Sequence, residues 1–582
     1  MEAFRHVFSH IKPYRRDLIL AMLLVLAESV FEMLIPLLMT DIVDVGVPAH
    51  DIPFLLRQGG KMALCAALAL ITGLLYARFA ARAACGFGAA LRMAEYRRIQ
   101  SYAFSNLDHF STASLVTRLT TDVTVLQNAV NSGLRPLVRS PVMLVMGVGL
   151  SFLINRKLAL VFAVSAPVLG AVLVLIVWKV GPLYQRQQKA VDHVNGHLQE
   201  SFTAIRAIKA FVRGDYEAAQ FDAVNAELMD STRKTFRLTM LNLPAFQWVM
   251  YTAVVVILWQ GGNSILVGGM QVGDLTGFLS YVLQVLNSLM LISGVLLLLT
   301  RSLASAKRVW EVLSELPALD NPPHPVKEVP DGRIDFDNVS FRYAAGAKKA
   351  ALQHVELHIA AGQTVGIVGG TGSAKSTLVQ LIPRLYDVTE GAVRVGGRDV
   401  REYNLAALRG AVGIVLQKNV LFSGTIRDNL RWGDPEADDE ALWNACRLAC
   451  ADEFLARMPA GLDTDLGQGG VNVSGGQKQR LCIARTLLQK PKILIFDDST
   501  SAVDMATEAK IRHGLAGLKD VTKLIIAQRI ASVMDADRIV VLENGQIHAV
   551  GTHAQLLETD PIYQEIYHSQ RREDAADGKD VQ

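Results

Sequence analysis

Charge is scarce in this chain, and it is scarce unevenly. Only 19% of its 582 residues are Asp, Glu, Lys or Arg, while 51% are apolar, and the long apolar runs fall within residues 18–300. The net charge of +3 is too small to argue for nucleic-acid binding. The five cysteines (Cys65, Cys85, Cys446, Cys450, Cys482) lack metal-ligand spacing. No second Cys/His pair joins Cys446 and Cys450 to complete a zinc set, so they read as buried free thiols in a reducing compartment. Proline is thin except in Leu316–Arg333, where five of eighteen residues are Pro and no apolar period is present. That stretch predicts a linker, which we set at 317–333. The basic first seventeen residues (Arg5, Lys12, Arg15, Arg16) precede an apolar segment too long for a signal peptide.

A bilayer core of about 30 Å needs roughly 20 apolar helical residues. Six segments meet that length: 18–39, 62–80, 136–154, 158–180, 240–260 and 277–299. An even count puts both termini on one side, and the positive-inside rule makes it the cytoplasm. Spans three and four are joined by a few residues around Asn155–Lys157, and five and six by a Gly-rich turn around Gly268–Gly273. The two cytoplasmic connections each exceed fifty residues and are polar, helix-forming and poor in Gly and Pro. They are expected to be helices continuing out of the membrane, reversing at Phe110–Leu115 and Phe211–Tyr216. Two small inserted domains are the other reading, disfavoured because neither stretch has apolar residues enough for a core.

After the linker, strand-like and helix-like runs alternate, as in a layered α/β domain over 334–570, with a polar tail at 571–582. The strand Thr364–Val368 runs into Gly369-Gly370-Thr371-Gly372-Ser373-Ala374-Lys375-Ser376-Thr377 and then a helix. This matches the phosphate-loop pattern G-x-x-x-x-G-K-[ST] at every position but Ala374. Backbone N–H groups at such a turn cradle phosphates, Lys375 supplies a point charge, and the Ser376 hydroxyl can ligate Mg²⁺. A plain Gly-rich strand–helix turn is the alternative for the loop by itself. Further on, Ile493–Phe496 ends in Asp497-Asp498, an apolar strand delivering carboxylates for Mg²⁺ and a base. Ser474-Gly475-Gly476-Gln477 opens a helix, a second anion nest in a chain that already has one. It suits the nucleotide of another subunit.

Together these motifs resemble the ATP-binding-cassette (ABC) domain, and residues 1–316 resemble the membrane half of the exporter type. The resemblance rests most on VSGGQKQR (Val473–Arg480) just before ILIFDD, and covers nearly the whole chain. It implies an all-α polytopic membrane domain of six spans fused to an α/β P-loop cassette. ATP and Mg²⁺ are the implied cofactors. Tyr343 resembles the aromatic that stacks on adenine, an ordinary strand tyrosine being the alternative. Gln417 resembles the glutamine that touches Mg²⁺ beside Ser376 and Asp497. Ser499–Asp504 (STSAVD) resembles the loop that crosses to the partner cassette, and the two cytoplasmic reversals resemble coupling helices.

Three positions depart from the family pattern: Asp498 stands where an active site carries Glu, Gln528 where it carries the switch His, and Ala374 where it carries Gly. The Asp carboxylate sits roughly 1 Å farther from an attacking water, and a misplacement of about 1 Å can cost on the order of 10²-fold in rate. Gln528 can donate a hydrogen bond but cannot carry an imidazole's proton. Ala374 costs about 1–2 kcal/mol if its backbone is left-handed and little otherwise.

The resemblance therefore implies an ATP-driven plasma-membrane exporter subunit with a degenerate site. It would lend Ser474–Gln477 to a second half-transporter carrying Glu and His. Its substrate would be a small amphiphile, of multidrug or lipid-like kind. A homodimeric pump with tolerated changes, an ATP-gated channel or regulatory subunit, and a membrane-anchored ATPase are the competing functions. Lastly, Glu28 and Glu32 lie four apart inside the first span, on one helix face. Carboxylates at that depth suggest a cation or proton site in a cavity, or else pairing with a base such as Arg78 or Arg139.

Overall fold

A computed structural model describes residues 2–343, 349–498 and 504–577. The chain folds as two compact units, 1–100 with 112–315, and 101–111 with 316–582. Ser499–Val503, most of the expected crossing loop, lie outside the described residues. Asp504 is described, and its carboxylate caps the helix that follows by accepting from the Thr507 amide at 2.9 Å.

The first unit is helical. Its long helices are α1 (Arg15–Asp41) and α2 (Ile52–Gln100); then, beyond the short α3 (Phe104–Leu107) of the second unit, α4 (Val123–Ile154), α5 (Arg156–Thr203), the short α6 (Ile205–Ala210), α7 (Gly214–Thr239), α8 (Asn242–Leu266) and α9 (Val272–Ser314). Pro36, Pro136, Pro141, Pro167 and Pro182 sit within them, as bundle helices in lipid tolerate.

Five helical stretches among the described residues are long and apolar enough to cross a bilayer: Lys12–Ala49, Ile52–Gln100, Thr112–Ile154, Arg156–Thr203 and Gly214–Leu266. Six were expected. The sixth expected segment, 277–299, lies inside the continuous helix α9, which is not among the five.

Small residues let α1 and α2 approach closely, and Ala21 and Val25 pack on Tyr76 and Ala80. Tyr281 of α9 is fully buried against Met33 and Met143, and its hydroxyl donates to the Met33 carbonyl at 2.9 Å.

Both long connections expected on the cytoplasmic side are helical. The second reverses where the sequence placed it, after α6, with Val212 in a left-handed conformation. The first reverses at 101–111, earlier than Phe110–Leu115, because Ala103 starts a new helix: the Asn106 side chain accepts from its amide at 3.1 Å, capping α3.

The second unit is two-layered. An antiparallel sheet runs in the order β2 (Leu352–Ile359), β1 (Ile334–Phe341), β4 (Glu390–Val395), β5 (Arg398–Asp399). A six-stranded sheet runs in the order β10 (Gln546–Gly551), β9 (Arg538–Glu543), β3 (Thr364–Val368), β8 (Thr522–Ile526), β7 (Ile493–Asp497), β6 (Val412–Val415). All its pairings are parallel except β9–β10. Strands β3 and β7 are apolar at all but one end residue each and buried almost throughout, because both faces of the parallel sheet are covered. One core gathers Ile367, Leu378, Ile495, Leu524 and Val540 between the sheets.

Candidate functional site

In a parallel sheet the carboxyl ends of the strands share one edge, and ligands bind there. Strand β3 delivers the phosphate loop to that edge, β7 delivers Asp497 and Asp498, β8 leads to Gln528, and β6 leads to Gln417. These strands are neighbours in the order β3-β8-β7-β6, so four segments far apart in the chain line one cleft of 790 Å³. The cleft is lined by Gly369 through Thr377, Gln417, Asp497, Asp498 and Gln528, with Tyr343 at its rim.

The loop shape depends on left-handed positions that favour glycine. At Gly369, φ is +152° and a Cβ would stand 2.1 Å from the Leu542 carbonyl oxygen. At Ala374, φ is +70° and ψ is 27°, so the strained case applies and the methyl costs about 1–2 kcal/mol. The helix α10 (Lys375–Gln380) starts directly after it.

Lys375 Nζ donates to the carbonyls of Gly369 at 2.9 Å and Gly370 at 2.8 Å, folded back over the loop. Burial lowers its pKa, against the pull of Asp498 and Asp497. The Ser376 hydroxyl donates to Asp497 Oδ1 at 2.7 Å. Burial raises the Asp497 pKa, and the neighbouring Asp498 raises it further, while the Ser376 hydrogen bond and Lys375 pull it back.

Asp498 is held in a left-handed conformation, and its Oδ2 accepts from Gln528 Nε2 at 2.6 Å and Gln417 Nε2 at 3.3 Å. Burial raises its pKa too, opposed by those two amides and by Lys375.

These residues fit a Mg²⁺–nucleotide. A cradle of backbone amides meets a lysine, and a hydroxyl and carboxylate already in contact supply hard oxygen donors. Among the described residues no cluster of three His, Cys, Asp or Glu side chains forms a separate metal centre. Magnesium bound by one or two carboxylates plus phosphate oxygens needs none.

Tyr343 is half exposed. Its ring meets Phe341 and Tyr386 edge-on at 4.9 and 5.3 Å, and its hydroxyl is 2.8 Å from Thr377 Oγ1. Tyr343 is among the residues that line the cleft.

Ser474 caps α11 (Gly475–Leu488) in a reciprocal box: its hydroxyl accepts from the Gln477 amide, and Gln477 Oε1 accepts from the Ser474 amide at 2.9 Å. Ser474 and Gly475 are exposed, and none of Ser474–Gln477 is among the residues lining the cleft.

Among the lining features that escaped the sequence reading are two segments near the end of the chain. Asn544 and Gly545 form the tight β9–β10 turn, which an Asn-Gly pair between apolar runs announces. Ile566 and Gln570 come from α12 (Pro561–Asp577), a helix that crosses the boundary drawn at residue 570. Its buried stripe of Ile562, Tyr563, Ile566 and Tyr567 was the signal for it.

In the membrane unit, Glu28 of α1 is buried and pairs with Arg135 of α4, while Arg139 pairs with Glu32 and lies 3.8 Å from Glu28. Arg135 also stacks over the Tyr76 ring. The geometry carries the pairing reading, with Arg139 as one partner and Arg135 in place of Arg78. Two guanidiniums thus face two carboxylates.

Comparison with known proteins agrees with this geometry. Residues 18–289 match the family model "ABC transporter transmembrane region" and residues 352–501 the model "ABC transporter". The chain is 38% identical over 562 residues to an uncharacterised ABC transporter ATP-binding protein, YfiB, of Bacillus subtilis, covering 97% of this chain and 98% of that protein. It is 31% identical over 578 residues to an ATP-dependent lipid A-core flippase of Desulfotalea psychrophila, covering 98% and 99%. Among solved structures, a bacterial Atm1-family ABC exporter with ATP bound superposes with a TM-score of 0.80 at 25% identity, over 96% of this chain and 98% of the other.

Proposed function

This chain belongs to the ABC transporter family as an exporter half-transporter coupling ATP hydrolysis to transport, and from that premise we propose that it is the degenerate-site subunit of a heterodimeric exporter. The observation that carries the proposal is the state of Asp498. A catalytic base must reach the attacking water. The Asp498 carboxylate is one methylene shorter than a glutamate's, and its Oδ2 is held by the amides of Gln417 and Gln528, neither of which can relay a proton as a histidine would.

The binding groups are complete. The loop amides and Lys375 would hold the β- and γ-phosphates, Ser376, Asp497 and Gln417 the Mg²⁺, and the Tyr343 ring the adenine. Bound Mg²⁺–ATP supplies the contacts that draw two cassettes together and the phosphoanhydride whose cleavage lets them part. The exposed Ser474–Gln477 helix start would meet the nucleotide of the partner, which would carry Glu and His at the altered positions. Both termini and the cassette would lie in the cytoplasm of a cell whose plasma membrane the helices span. A lipid-like or other amphiphilic substrate suits a chain whose relatives include a lipid A-core flippase.

The test is division of labour. Co-purified with its partner, the chain should hydrolyse ATP far faster than it does alone. Ser474→Ala should cripple that fast turnover, and Lys375→Ala should weaken nucleotide binding while leaving part of it. Full transport by this chain free of any partner would establish the homodimeric pump instead.

A further inference from the structure

The loop after β8 that carries Gln528 is held from outside. Gln570 of α12 places its amide between two backbone groups: Nε2 donates to the Gln528 carbonyl at 2.6 Å, and Oε1 accepts from the Ile530 amide at 2.8 Å. Both bonds are made to main chain, so they fix the loop without depending on what it displays. They act at the residue whose side chain, in turn, donates to Asp498 at 2.6 Å.

The helix is itself anchored. Tyr563 is fully buried, its hydroxyl is 2.7 Å from His553 Nδ1, and its amide donates to Asp560 Oδ1 at 2.6 Å. His548 Nε2 stands 3.2 Å from Asp560 Oδ2. From that anchor two helical turns bring Ile566 and Gln570 to the cleft, where both are lining residues.

We infer that Gln570 is a positioning residue of the nucleotide site, whose two-way grip on residues 528 and 530 aims the Gln528 amide, so that the C-terminal helix sets preference for a γ-phosphate. The inference rests on the reading of the cleft as an ATP site. A long side chain such as Gln528 has several rotamers in a free loop, and holding its backbone reduces that cost. The effect belongs to nucleotides that reach the switch position, hence to ATP and not to ADP.

The experiment uses the full chain in lipid nanodiscs without a second half-transporter. Equilibrium dissociation constants are measured for a slowly hydrolysed ATP analogue and for ADP, each with Mg²⁺. Gln570→Ala is expected to raise the ATP-analogue constant roughly five- to thirtyfold, one to two hydrogen bonds' worth, and to leave that for ADP within about twofold. Gln570→Glu keeps the acceptor for Ile530 but opposes a carboxylate to the Gln528 carbonyl, and should lose at least as much. Gln564→Ala is the control: Gln564 donates to the Leu557 carbonyl at 2.8 Å, outside the cleft, so neither constant should move. An equal loss for ATP analogue and ADP in Gln570→Ala would mean general loosening of the cassette and overturn the inference, as would no change in either. Gln528→Ala separates the levels. If it changes the ratio and Gln570→Ala does not, the grip fails and the site stands. If Gln528→Ala leaves the ratio untouched, the ATP-site reading of the switch position fails first.

Discussion

Two pairs of neighbouring carboxylates, one in each unit, are treated in opposite ways. Glu28 and Glu32 each face a guanidinium from α4, so charge is balanced by partners fixed in the chain. Asp497 and Asp498 face a hydroxyl, two amides and one lysine that is turned onto loop carbonyls. Charge balanced by side chains is structural, since nothing need arrive for it to be satisfied. Burial raises the pKa of Asp497 and Asp498 against the hydrogen bonds they accept, and carboxylates held mostly by neutral dipoles gain most from an arriving cation. The difference separates a brace from a binding site without reference to any motif.

The strongest way to break the contrast is Arg135→Ala. Leaving buried Glu28 with only Arg139, 3.8 Å away, should cost on the order of 3 kcal/mol, read as a loss of thermal stability in detergent. Adding Glu28→Gln should recover much of it, while a cation-site role would instead show as selective loss of cationic export in Glu28→Gln with Glu32→Gln. Next in size is Lys375→Ala, where losing a charged donor to phosphate should weaken Mg²⁺–ATP binding about 10- to 100-fold, measured by fluorescent-nucleotide titration.

A pH series sharpens the same point. Because burial raises the Asp497 pKa, the stability tied to its protonated form is fully present below the ordinary aspartate value. It is lost as pH rises through the raised one. Mg²⁺–nucleotide affinity should run the other way, climbing over that window, and Asp497→Asn should flatten both curves. The smallest effect belongs to Ala374→Gly. Relief of the left-handed strain, less glycine's extra chain entropy, should stabilise the cassette by up to about 1 kcal/mol in denaturant melts.

What could be read in the sequence divides along contact distance. The phosphate loop, the ILIFDD strand and the Ser474 helix start are each made by residues adjacent in the chain, so local patterns suffice for them. The departures at Asp498, Gln528 and Ala374 were equally visible, although the left-handed backbone at Ala374 was not. Arg135 was missed because it lies 107 residues from Glu28, and which face of α4 meets α1 depends on how the whole bundle packs. The reversal at 101–111 was displaced because its stop signal is a side-chain cap from Asn106, weaker in sequence than glycine or proline. Gln570 was assigned to the end of the cassette by composition, and its role comes from two hydrogen bonds to residues far earlier in the chain.

Strand order in the six-stranded sheet also acts as a ruler. Adjacent strands lie about 4.8 Å apart, so the three steps from β3 through β8 and β7 to β6 span roughly 14 Å. Each strand end is therefore a stop at fixed pitch along the cleft, which no single substitution can shift. Evolution of the site is confined to adjusting reach within a stop, by a methylene or an amide. Asp498 and Gln528 sit just past neighbouring stops, at the ends of β7 and β8.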